Sequence, residues 1–142
     1  MNTKDSILIL CTSNSARSQM AEGFFNREGG GRFEVYSAGL HPTEVHPLAI
    51  QVMKEVGVDI SQNRSKSVSE YLGKKSFRYV ISVCQKASDQ CPRLFPGALH
   101  ILHWPFEDPA SFEGNEEQRL VKFRDVRDQI QRKIQLWFKA MQ

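Results

Sequence analysis

Cys11-Thr12-Ser13-Asn14-Ser15-Ala16-Arg17-Ser18 joins a soft nucleophile, a run of small and polar residues, and a guanidinium six positions after the thiol. Ile7-Leu8-Ile9-Leu10 precedes it, an apolar run of strand length, and Gln19-Met20-Ala21-Glu22 follows with good helix formers. Strand, tight polar loop and helix, in that order, aim backbone N–H groups and a helix N-terminus at one point, where an anion binds. A thiol at such a point, beside a cation, is held toward its thiolate form. Arg17 can fork onto a tetrahedral oxyanion from the loop mouth. A lone cysteine is more often buried structure, but this combination reverses that reading. Thr12, Ser13, Asn14, Ser15, Ala16, Arg17 and Ser18 are the expected oxyanion cradle, and Cys11 the attacking group.

Two more thiols, Cys84 and Cys91, bring the total to three, an odd number that argues for catalysis or redox chemistry over a disulfide framework. A regular helix between them would hold their Cα atoms about 10.5 Å apart, whereas a disulfide needs them within roughly 7 Å. Either the segment is irregular, or it unwinds when the two thiols bond. Ser88 and Asp89 are poor helix-interior residues, and Pro92 limits how far a disturbance spreads. The pair therefore reads as a redox switch, against the plainer alternative of two unrelated buried cysteines. Asp108, in Trp104-Pro105-Phe106-Glu107-Asp108-Pro109-Ala110, has the form of an ordinary Asp-Pro turn. Beside a nucleophilic loop it is also a candidate proton donor for a departing oxygen, with Glu107 as competitor.

The elements that must position these groups follow from pattern. Met20, Ala21, Phe24 and Phe25 give a helical stripe ending at Gly29-Gly30-Gly31. Phe33 to Ala38 alternates as a second strand, and His46-Pro47 opens a helix striped by Ala49, Val52, Met53 and Val56 and closed by Gly57. The polar stretch from Asp59 to Ser69 reads as a loop with a turn of helix near Val68 to Leu72. Tyr79 to Cys84 is a third strand, Gln85 to Gln90 a short helix, and His100 to Trp104 a fourth strand. Phe123, Val126, Ile130, Ile134 and Trp137 stripe the last helix, as core and not as a ligand box. The sum is an α/β fold: one domain over residues 1–142, with a mainly parallel four-stranded sheet and helices on both faces. In such a sheet the site lies beyond the carboxyl ends of the strands, where Cys11, Cys84 and Asp108 converge.

Composition excludes several other classes. A net charge of +3, with mixed signs along the chain, is no nucleic-acid footprint. No apolar run reaches membrane-spanning length, and Met1 to Ser6 does not resemble a signal peptide, so a cytoplasmic monomer is the expectation. The four histidines and three cysteines never fall together at ligand spacing, so no metal is expected.

The stretch from Cys11 to Gly23 resembles the anion loop of thioredoxin-coupled arsenate reductases built on the low-molecular-weight protein tyrosine phosphatase fold. The likeness continues through Tyr36-Ser37-Ala38-Gly39, Met53 to Val56, Asp59-Ile60-Ser61, Cys84, Cys91-Pro92, His103-Trp104 and Asp108-Pro109-Ala110. The resemblance implies that Cys11 attacks arsenate (phosphate or sulfate as mimics) held by the loop and Arg17, with Asp108 protonating the leaving oxygen. It implies next a Cys11–Cys84 disulfide, then transfer by Cys91 to a Cys84–Cys91 disulfide reduced by thioredoxin, itself served by thioredoxin reductase and NADPH. No bound cofactor is implied. Some members carry a cysteine where this chain has Ala16. Some hold potassium with residues matching Asn14, Glu22 and Ser37 plus an acidic side chain, a position taken here by Lys66. The expectation is that the Lys66 ammonium replaces the ion, pairing with Glu22 and steadying Asn14. A phosphatase for phosphotyrosine or small esters shares the loop but has no chemical need for Cys84 and Cys91; a non-catalytic oxyanion or redox sensor would bind without turnover.

Overall fold

The computed structural model describes residues 4–29, 31–84 and 97–141, with Cys84 described by its backbone. Four strands, β1 (Asp5–Cys11), β2 (Phe33–Gly39), β3 (Phe77–Cys84) and β4 (Ala98–Phe106), form one sheet in the order β2-β1-β3-β4. Every pairing is parallel. Parallel neighbours require crossovers, supplied in part by α1 (Arg17–Gly29) and α2 (Pro47–Glu55); α3 (Glu116–Ala140) follows β4. The chain steps from β1 to β2 on one side and then returns past β1 to β3. The order thus reverses at the β1/β3 crevice, where open α/β sheets bind ligands.

Both faces of the central strands are buried, as near-continuous apolar runs demand. Ile7 to Leu10 are at most 1% exposed. On one face α1 and α3 pack through aromatic rings. Phe25 stacks on Trp104 at 6.1 Å, and Trp137 meets Phe25, Tyr79 and Trp104 edge-on at 5.7, 5.1 and 5.7 Å. Tyr36 lies on the opposite face, since it pairs with Leu8 while Tyr79 pairs with Ile7. Tyr36 and Phe77, the first residue of β3, meet Tyr71, which follows a 3-10 turn at Val68–Glu70. That turn is where the sequence places one.

The strand and helix positions agree with the patterning, though β1, β3 and β4 each begin two residues ahead of the apolar pattern, and two further boundaries differ for a readable reason. β4 runs on through Pro105, which an edge strand tolerates because its outward N–H has no partner to lose. α3 begins at Glu116, ahead of its apolar stripe, because Asn115 and Gln118 form a reciprocal capping box. The expected helix from Gln85 to Gln90, and Cys91 with it, lie outside the described residues.

Candidate active site

Cys11 ends β1 and is 1% exposed. After it the chain turns through residues 12–16 into the N-terminus of α1, with Asn14 at φ +50°, a left-handed conformation that asparagine tolerates better than most residues. The carbonyls of this loop all point outward, each to a donor. Cys11, Thr12, Ser13 and Ser15 accept from the N–H groups of Leu40, His41, Thr43 and His46 at 3.3, 2.8, 3.1 and 3.0 Å. The Asn14 carbonyl accepts from Ser65 Oγ at 2.6 Å and Gln19 Nε2 at 3.2 Å, and that of Ala16 from the Met20 N–H at 2.9 Å. Among the described residues the N–H groups of Thr12 to Ala16 have no such partner. With the carbonyls turned out, the donors are free for the concave side, which makes an anion cradle.

Gly39 makes the close approach possible. A Cβ there would lie 2.7 Å from the Asn14 nitrogen, 2.9 Å from the Ser13 carbonyl carbon and 2.9 Å from the Thr12 oxygen. A depression of about 490 Å³ bounded by Ser15, Thr43, Glu44, Val45, His46 and Pro47 adjoins the loop.

Arg17 is 5% exposed. Its NH1 donates to the Phe106 carbonyl at 3.1 Å, and its NH2 lies 3.6 Å from Asp108 Oδ2. Its Nε is a buried donor with no partner among the described residues. Asp108 caps the 3-10 turn Pro109–Ser111 through Oδ1, which accepts the Ala110 N–H at 3.0 Å, leaving Oδ2 for the arginine. The rival acid, Glu107, points its carboxylate to Lys122 at 3.1 Å instead.

A strand-loop-helix cradle on this sheet order has relatives. The family model described as low molecular weight phosphotyrosine protein phosphatase matches residues 6–142. The chain belongs to that family. Among its curated relatives is the arsenate reductase of Halalkalibacterium halodurans, 43% identical over 131 residues, which cover 92% of this chain and 93% of the relative. Among solved structures, an arsenate reductase in the phosphate binding state superposes with a TM-score of 0.81 at 33% identity, covering 97% of this chain and 99% of the other. A thioredoxin-dependent arsenate reductase of Corynebacterium glutamicum is 29% identical with a TM-score of 0.64, over 94% of this chain and 63% of its own length.

Within this family frame the supporting residues take definite places. Asn14 Oδ1 accepts from the Lys66 backbone N–H at 2.8 Å, and Asn14 Nδ2 donates to Ser18 Oγ at 2.8 Å. Lys66 therefore steadies Asn14 through its backbone. Its ammonium donates to the Arg64 carbonyl at 2.8 Å and reaches Ser37 Oγ at 3.5 Å. The expected pairing with Glu22 is not a contact: the Glu22 carboxylate accepts instead from Asn63 Nδ2 at 3.0 Å. Burial lowers the Lys66 pKa from its ordinary value, opposed by the Glu22 carboxylate nearby. An ammonium already rests on Ser37 and feels Glu22, so these residues do not fit an additional potassium ion. Among the described residues no group of three or more His, Cys, Asp or Glu side chains could hold a metal, and no helix is long and apolar enough to cross a membrane.

Cys84 ends β3, the strand beside β1. The register pairs Leu10 with Ser82, so Cys84 lies one residue beyond the position opposite Cys11. Strand spacing and rise give a Cα separation of about 6 Å, inside the range that a disulfide spans. Sequence reasoning missed Gly39, Gln19, Asn63, Ser65 and His46, all of which hold the loop through partners distant in the chain. For His46 the Ser/Thr/Asp/Asn cap rule gave no signal, yet its Nδ1 accepts the Leu48 N–H at 3.1 Å and caps α2.

Proposed function

We propose that the protein is an arsenate reductase acting in the cytoplasm, in which Cys11 is the nucleophile and Cys84 and Cys91 are the resolving thiols. The observation that carries this reading is the backbone adjacency of Cys11 and Cys84 at the β1/β3 crevice, beside an oxyanion cradle. The cradle alone would serve a phosphatase equally well. Relatives named arsenate reductase along more than nine-tenths of the chain support the same choice.

The Thr12 to Ser18 amides and Arg17 hold the arsenate oxygens, and Arg17 Nε gains the acceptor it lacks within the protein. The Cys11 thiolate attacks arsenic, and one oxygen leaves as water with a proton from Asp108. The Cys84 thiolate then attacks Cys11 Sγ. The S–As electron pair passes to arsenic, which leaves as arsenite, reduced by two electrons, while Cys11 and Cys84 are oxidised to a disulfide. Cys91 attacks Cys84 Sγ, frees Cys11 as thiolate and leaves a Cys84–Cys91 disulfide for thioredoxin, with electrons from NADPH through thioredoxin reductase.

Arsenite release with thioredoxin, thioredoxin reductase and NADPH tests the relay. Wild type turns over repeatedly, whereas Cys91→Ser stops after about one arsenite per chain. Equal steady-state rates for the two would refute the assignment. Glutaredoxin with glutathione, run in parallel, identifies the donor.

A further inference from the structure

His46 stands at the edge of the cradle with its ring held in one orientation. Its backbone N–H donates to the Ser15 carbonyl at 3.0 Å, and the residue borders the depression of about 490 Å³ that it shares with Ser15, Thr43 and Glu44. Nδ1 accepts the Leu48 N–H at 3.1 Å and so caps α2, while the Phe123 ring of α3 lies 4.7 Å away by centroid. An accepting Nδ1 carries no proton. Burial, and after it Arg119, lower the pKa from its ordinary 6.5, so the ring is neutral at pH 7. Its single N–H proton is therefore on Nε2.

That proton faces the wrong kind of partner. Arg119, in the first turn of α3, brings NH2 to 3.4 Å from His46 Nε2. A guanidinium cannot accept, and neither can a protonated Nε2. The contact is donor against donor, and two N–H groups flank one position where an acceptor belongs. Neither group has another side-chain acceptor among the described residues. The acidic residues of the β4–α3 connection are committed elsewhere: Asp108 caps its own turn and meets Arg17, and Glu107 pairs with Lys122. His46 and Arg119 are both half-buried, so water screens their charge less than it would on an open surface. The N-terminus of α2, which His46 caps, adds partial positive charge at the same place.

We propose that His46 Nε2–H and the Arg119 guanidinium form a second oxyanion subsite beside the cradle, one that takes a tetrahedral anion of the phosphate and arsenate class. Ser15 joins the two sites, since its carbonyl is held by the His46 N–H while its own N–H belongs to the cradle. The subsite is the weaker of the two. It offers two donors against the amides and Arg17 of the cradle, and the exposed Glu44 carboxylate borders the same depression and repels an anion there. It presupposes the cradle of the function above but not arsenate as substrate.

The test titrates inorganic phosphate, with ionic strength held constant by chloride, into a Cys84→Ser/Cys91→Ser parent in which Cys11 alone reacts. Nitrogen-15 NMR of the His46 ring reports its tautomer and its response to the anion; protection of Cys11 from iodoacetamide reports the cradle. The ring should be the Nε2–H tautomer, and its signals should respond with a half-saturation above that of Cys11 protection. Arg119→Met, which keeps the stem and removes the donors, should weaken the ring response at least about tenfold, because a hydrogen bond from a charged group is among the stronger ones. Cys11 protection should stay as in the parent. An Nδ1–H tautomer, one half-saturation shared by both readouts, or a parent-like ring response in Arg119→Met would each overturn the proposal. If Arg119→Met does not fold, Arg119→Gln decides by the same readouts. Arsenite release by the wild type is measured alongside. Its absence, with two separate phosphate responses intact, would overturn the arsenate reading and leave the subsite standing.

Discussion

Gly39→Ala tests the cradle at the point where the structure leaves least room. Gly39 is the last residue of β2, and its φ is not positive, so alanine meets no backbone penalty there. The cost is steric: the new Cβ falls 2.7, 2.9 and 2.9 Å from Asn14 N, Ser13 C and Thr12 O. All three are backbone atoms of the oxyanion loop, so no side-chain rotation relieves them. Overpacking of this kind costs about 1–3 kcal/mol, here toward the upper end because three atoms must move together. With about 2.1 cal/mol/K per residue for unfolding, the 142-residue chain has an unfolding entropy of about 0.3 kcal/mol/K. The midpoint should therefore fall by about 7–10 °C. The more diagnostic quantity is the response to phosphate. A ligand at a hundred times its Kd stabilises by about 2.7 kcal/mol, which is about 9 °C on the same scale. Displacing the loop removes the aimed N–H groups, so Gly39→Ala should lose most of this gain. Differential scanning calorimetry with and without phosphate measures both effects. A variant of lowered midpoint that keeps the full phosphate shift would show that the Gly39 contact does not shape the anion site, and the steric reasoning would fail.

Two further outcomes follow from single contacts. Arg17→Lys keeps the charge but loses the fork that reaches the Phe106 carbonyl and Asp108 and leaves Nε free for substrate; losing two charge-assisted bonds to the oxyanion, at roughly 1.5–3 kcal/mol each, lowers kcat/KM by about 10²–10⁴, and near wild-type kcat/KM would refute the role. His46 has its pKa lowered from 6.5 by burial and by Arg119 of α3, 3.4 Å from Nε2, against the opposing pull of Asp108. The unfolded chain therefore takes up that proton first, and the stability His46 contributes is present above about pH 6.5 and is lost as pH falls through its folded value. His46→Asn keeps a capping acceptor and removes the titration. Denaturant unfolding between pH 5 and 7 should show a flatter slope in the variant, the difference not exceeding about 1.4 kcal/mol per pH unit; parallel slopes would refute it.

What the sequence disclosed was local, and what it withheld was long-range. Cys11 to Ser18 is legible because strand, loop and helix follow one another without interruption, and the four strands are legible because buried parallel strands are apolar throughout. Asn115 and Gln118, three apart, carried a readable capping box, but the first two turns of α3 are largely exposed and gave no apolar stripe. Gln19 looked like an ordinary helix former, although its amide meets Arg64 and Asn63 some 45 positions away. Composition names the donor and never its acceptor. Lys66 shows the same limit from the other side: its position was found, but its ammonium turned to the Arg64 carbonyl and Ser37, and its backbone N–H took the Asn14 contact.

The cradle itself cannot tell arsenate from phosphate, since both offer four oxygens in a tetrahedron to the same outward-pinned loop. Discrimination has to come from what happens after an adduct forms. In the proposed relay Cys84 attacks Cys11 Sγ, and the bond to the bound atom must break with its electron pair left on that atom. Arsenic accepts such a pair readily and departs in the trivalent state; phosphorus in a phosphate does not, so a phosphorylated Cys11 can be cleared only by water at phosphorus. On that proposal a second thiolate at the end of β3 is selective without any contact to the oxyanion. The sheet order supplies that selectivity, because a chain that reverses between β1 and β3 brings the ends of both strands to one crevice.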